Sequence, residues 1–244
     1  MLNSIMPGFR DLRAALIAGS ILVGSVYVLI DSYLPSIADL RPSLLAIAQL
    51  NAAMPTVLAV VGCILIGSLY TTALEGIVDW LHRTLLAVDP LAIKNPVKRM
   101  FIVSLSPFSA ASRKRLIGEA GRYYDQTCTK SPIARSQFQA SVLGDVLWLE
   151  GKLVGTALKD PHDQYRSEGE LRLATGLILP LCFWAIFYGT NAPLIWLTIA
   201  IAAGFALGVW QINYGLYYYR RANSFLAHHI ADGSLKTPTM ESLR

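Results

Sequence analysis

Residues 54–74 read MPTVLAVVGCILIGSLYTTAL, twenty-one positions without a charged side chain. A hydrocarbon core about 30 Å thick is crossed by ~17–25 helical residues. Backbone amides in lipid have no water to bond, so such a segment closes its hydrogen bonds internally as a helix. Three more stretches of this kind follow from the same reading: 14–30, 173–188 and 193–214, the last continued by aromatic residues to Tyr219. No Asp, Glu, Lys, Arg or His falls in the middle of any of them.

The composition agrees. Of 244 residues, 54% are hydrophobic and 15% are charged, against about 25% charged in a typical soluble domain. The mean hydropathy is +0.45. Disorder, collagen and a disulfide scaffold are excluded. Cys63, Cys128 and Cys182 form no CxxC or zinc spacing, and an odd number closes no disulfide set, so they read as reduced packing residues. Arg10 and Arg13 before the first span and Ser36-Ile37-Ala38 after it form a weak signal-peptide pattern. The apolar run is long for a signal h-region, which favours a retained anchor.

Orientation follows from the basic residues. Arg41 is the sole Lys or Arg between the first two spans, and 189–192 carry none; the other twenty of 21 lie at the termini, in the long middle segment or at Arg172. The expected architecture is therefore an all-α membrane protein. Four transmembrane helices have both termini in the cytoplasm, and a helical cytoplasmic portion lies between helices two and three. The division is 1–74 (first helix pair), 75–170 (cytoplasmic region), 171–219 (second pair) and 220–244 (cytoplasmic tail, loose from about Gly233). The expected location is a bacterial plasma (inner) membrane, multi-pass.

Residues 75–170 hold 13 basic and 11 acidic side chains. Ile77, Val78, Trp80, Leu81, Leu85, Leu86 and Val88 carry an apolar helical stripe beyond the second span, to Asp89-Pro90. Helices are expected over 109–126, 133–159 and 161–188, the last with Asp160 as N-cap and a kink near Pro180. Met100-Phe101-Ile102-Val103 reads equally as a short strand or an interfacial stretch.

Six groups of residues draw attention. Glu75, Asp79 and His82 share one helical face and could hold a divalent metal or act as an acid/base set, or be solvated, with Asp79 paired to Arg83. Asp163, Arg166, Glu168, Glu170 and Arg172 place five charges directly before a span, as a partner-docking surface or a stem of i,i+4 pairs. Lys98, Arg99, Arg113, Lys114 and Arg115 suit lipid headgroups; no nucleic-acid motif accompanies them, so nucleic acid is not an expected partner. Gly204 and Gly208 form a GxxxG pair for helix packing or an oligomer interface. Tyr214, Tyr217, Tyr218 and Tyr219 with Arg220-Arg221 fit an interfacial anchor, and His228-His229 a helix-end cation pair.

No P-loop, HExxH or GxSxG is present, so no catalytic residue and no cofactor are expected. The absence of mid-span ionisable residues argues against proton-coupled transport. The expectation is a membrane-anchored, non-enzymatic subunit or sensor that docks a cytoplasmic protein partner. A homo-oligomeric channel or pore is the first alternative, and a membrane enzyme acting on a lipid-type substrate at the cytoplasmic face is the second.

Overall fold

The structure, a computed structural model, describes residues 7–33, 53–86, 88, 92–127, 133–149, 153, 156–189 and 193–242. Ser36-Ile37-Ala38, Arg41, Asp89-Pro90, Cys128 and residues 190–192 lie outside them. Eight helices follow in order: α1 Pro7–Tyr33, α2 Ala53–Leu86, α3 Pro96–Leu105, α4 Ala110–Thr127, α5 Arg135–Val146, α6 Lys159–Gly189, α7 Leu194–Ala231 and α8 Pro238–Glu241. Among the described residues there is no strand.

Helices α1, α2, α6 and α7 are each long and apolar enough to cross a membrane. Their outward surfaces say the same. Leu69 is 75% exposed and Leu194 78%, and exposed apolar surface on that scale suits lipid and not water.

The chain divides into two compact units. The first joins Met1–Glu75 to Glu170–Gly215, and the second joins Gly76–Gly169 to Leu216–Arg244. In the first, Ala18 of α1 packs with Ala174 and Ile178 of α6, and Tyr70 and Leu74 of α2 close over them. The Tyr70 hydroxyl donates to the Ala174 carbonyl at 3.2 Å. Small residues set the helix separations, because no hydrophobic drive between helices exists in lipid and close backbone packing must replace it. A Cβ added at Gly19 would overlap the Cys63 carbonyl, and one at Gly67 the Ala15 carbonyl.

The second unit has its own core. Phe138, fully buried on α5, is stacked on Tyr123 and tilted against Tyr124 of α4, and Leu116, Val142, Leu149, Leu153, Leu226 and Ile230 surround it. The Arg135 guanidinium lies over Gly121, 2.7 Å from where a Cβ would stand. That guanidinium also meets Asp125 at 3.0 Å.

Three sequence expectations change, and one open alternative narrows as the strand reading falls away. Met100-Phe101-Ile102-Val103 lies in a helix, α3, started by Asn95, whose side chain accepts from the amides of Val97 and Lys98, and by Pro96 at the first turn. The helix expected over 133–159 ends at Val146, where the amides of Leu147 and Trp148 turn back to Gly144 and Asp145. Continuing through Gly151 and Gly155 would cost about 1 kcal/mol at each relative to alanine. Asp160 is not the cap of α6 but falls in its first turn.

The last change concerns the C-terminus, which is no loose tail. Helix α7 continues seventeen residues past Tyr214, to Ala231, and puts Ala222, Leu226, Ala227 and Ile230 into the second unit's core. Gly233, at φ 74°, turns the chain back. Helix α8 then docks Met240 into the same core. Its first amides are satisfied by side chains, Met240 N–H by Thr237 Oγ1 and Thr239 N–H by Asp145 Oδ2.

Candidate functional site

The side chains with the most chemical character lie at the start of the second unit, where α2, α6 and α7 each contribute. His82 on α2 is 3% exposed. Its ring meets Tyr219 of α7 edge-on, 6.1 Å between centroids. Burial, then the positive charges of Arg220 and Arg166, hold the imidazole down at about 4. His82 lies beyond the apolar 54–74 segment and is a neutral imidazole at physiological pH.

Arg220 is anchored. Its Nη2 donates to the Ser104 carbonyl at 2.6 Å and its Nε to the Ser106 carbonyl at 3.3 Å, which fixes the C-terminal end of α3. Arg221 lies over the Tyr165 ring at 4.6 Å, and Tyr165 meets Phe225 edge-on. His162 is buried beside Asp163, Nδ1 to Oδ1 3.3 Å. Tyr219 and Arg220 are therefore internal parts of the second unit and not an interfacial anchor. Tyr214 and Tyr217 remain exposed enough for that role. The apolar positions 219, 222, 226 and 230, read as a continued helical stripe, could have revealed this in the sequence.

Glu75, Asp79 and His82 do not converge. His82 is buried, Asp79 is exposed, and Glu75 is half-buried and engaged within the chain. Among the described residues, no group of three or more His, Cys, Asp or Glu side chains is placed to hold a metal ion. The charged stem is equally inward. Asp163, Arg166, Glu168, Glu170 and Arg172 are all half-buried, and all are engaged within the chain. Arg172 donates to Gln211 Oε1 across α6 and α7 at 3.4 Å and faces the Tyr214 ring.

The basic group divides. Arg113 donates to the Val88 carbonyl at 2.6 Å. Arg115 bonds Asp232 and the ring nitrogen of His228, and His228 Nε2 meets the other Asp232 oxygen at 3.0 Å. These two arginines serve the fold, while Lys98, Arg99 and Lys114 are exposed. His229 faces Ser234, so the histidine pair is a set of helix-end contacts.

Gly204 and Gly208 sit where α7 crosses α6. A Cβ at 204 would lie 3.1 Å from Pro180 and Phe183, and one at 208 would lie 2.5 Å from the Gly176 carbonyl oxygen. The pair is occupied inside one chain.

No protein-family model, no curated protein and no solved structure matches this chain. The functional reading rests on the arrangement itself.

Proposed function

We propose that the chain is a membrane-anchored, non-enzymatic subunit whose second unit faces the cytoplasm and docks a protein partner there. The observation that carries the reading is helix continuity. Helices α2, α6 and α7 run without a break from their apolar segments into a unit that has its own core. Three helices are shared between the anchor and the platform. The cytoplasmic orientation is supported by the concentration of Lys and Arg in the middle segment and at the termini.

Nothing supports chemistry comparably. The candidate acid/base set diverges, and the buried imidazole is neutral beside two guanidiniums with no nucleophile in hydrogen-bond reach among the described residues. No observation favours a pore either, and the Gly204/Gly208 face is filled within the chain.

Native mass spectrometry of the particle extracted into lipid nanodiscs tests the reading. The expected particle holds this chain with a second, different polypeptide in fixed ratio. A closed ring of this chain alone would replace the reading with a pore, and a lone chain would remove the docking role.

A further inference from the structure

Helix α3 stands apart in its chemistry. None of its ten residues is buried, yet Val97 is 71% exposed, Met100 69% and Phe101 64%. At i, i+3 and i+4 these three share one face. Lys98 borders that face, Arg99 lies on the opposite side of the helix, and Lys94 lies on the approach. All three are exposed, and none has an ion pair among the described residues. The helix is held at its ends, by the Asn95 cap and by Arg220 on the carbonyls of Ser104 and Ser106.

We propose that α3 is an in-plane membrane helix that binds an anionic lipid surface. Val97, Met100 and Phe101 enter the boundary between headgroups and acyl chains, Lys94 and Lys98 meet lipid phosphates, and Arg99 on the polar face adds to the attraction of the anionic surface. Apolar side chains on one face with Lys and Arg on the polar remainder are the pattern of helices that lie in the interface. The in-plane helix would add a second kind of membrane contact to that of the spans. Water is a poor alternative for three adjacent large apolar side chains. A second copy of the chain is also a poor one, because a symmetric contact through this face would oppose its own cations. This lipid contact does not depend on the docking of a protein partner.

The test places a nitroxide at Val97, Met100 or Phe101, and at Lys114 as an exposed reference, after replacing Cys63, Cys128 and Cys182 by alanine. The full chain is reconstituted in phosphatidylcholine vesicles with or without phosphatidylglycerol. With phosphatidylglycerol, positions 97, 100 and 101 should be open to oxygen and closed to a water-soluble nickel chelate, with the inverse at 114. Replacing Lys98 and Arg99 by glutamate should lower the immersed population roughly fivefold for each basic residue removed. Equal nickel access at all four positions would overturn the proposal in favour of water. Closure to both reagents would overturn it in favour of a covering protein. On the unaltered chain, a photoactivatable phosphatidylglycerol should cross-link within 94–105, and labelling that spares this segment would overturn the proposal as well.

Discussion

Gly208 of α7 faces the carbonyl oxygen of Gly176 of α6 so closely that a Cβ at 208 would stand 2.5 Å from it, and a Cβ at 176 would stand 2.8 Å from the Gly208 oxygen. Two backbones touch where a side chain would have to intervene. Forcing one in costs about 1–3 kcal/mol through displaced helices. Gly208→Leu is therefore expected to lower the Tm of the detergent-solubilised protein while leaving the particle mass unchanged. An unchanged Tm with a changed mass would instead put the glycine at a subunit boundary.

The buried imidazole of His82 gives acid sensitivity with a defined sign. It is held at about 4 in the folded chain against 6.5 as its ordinary value. Between these pH values the unfolded chain takes up a proton that the folded chain refuses. The stability from keeping His82 neutral is complete above pH 6.5, declines as pH falls, and levels off below about pH 4. His82→Leu should flatten the decline of Tm across that window. An equal slope in the variant would assign the acid response to other groups.

How far these features could be read in advance depends on what fixed them. The four apolar helices were legible because hydrocarbon thickness and backbone bonding leave no other solution for a run such as 54–74. Helix α3 was legible in principle from Asn95-Pro96, a cap followed by a first-turn proline, but four apolar residues in a row at 100–103 obscured it. The inward burial of 222–230 was hidden because the aromatic-basic run at 217–221 looks like a membrane-surface anchor. The site was less legible still. Whether His82 points inward and Asp79 outward depends on which helices pack against α2, and spacing along one helix does not carry that.

Arg220 is the tie between α7 and the end of α3, and its removal isolates that tie. Hydrogen bonds from a charged group contribute about 1.5–3 kcal/mol. In Arg220→Gln, hydrogen exchange of amides 99–105 should accelerate while the α4–α5 amides around Phe138 keep their protection. Arg221→Gln, which removes only the stacking on Tyr165, should leave α3 exchange unchanged. Similar exchange in both variants would show that α3 is held by other means.

The C-terminal turn gives the last test, because it decides whether residues 235–242 are structure or appendage. Met240 is 5% exposed and Thr237 fully buried; Tyr123 donates to the Met240 carbonyl at 3.0 Å; and Asp145 accepts the Thr239 amide at 2.8 Å. Met240→Ala removes a buried side chain and leaves a cavity against Phe138's neighbours, a change that costs about 2–5 kcal/mol. Asp145→Ala removes one acceptor from a helix start, at about 0.5–2 kcal/mol by analogy with cap losses. Both variants should unfold at lower temperature than the parent, Met240→Ala the more so. Deleting 235–244 should lower the Tm further than either, since it removes both contacts and uncovers Leu226 and Ile230. A deletion that leaves the Tm in place would return this segment to the role of a free tail.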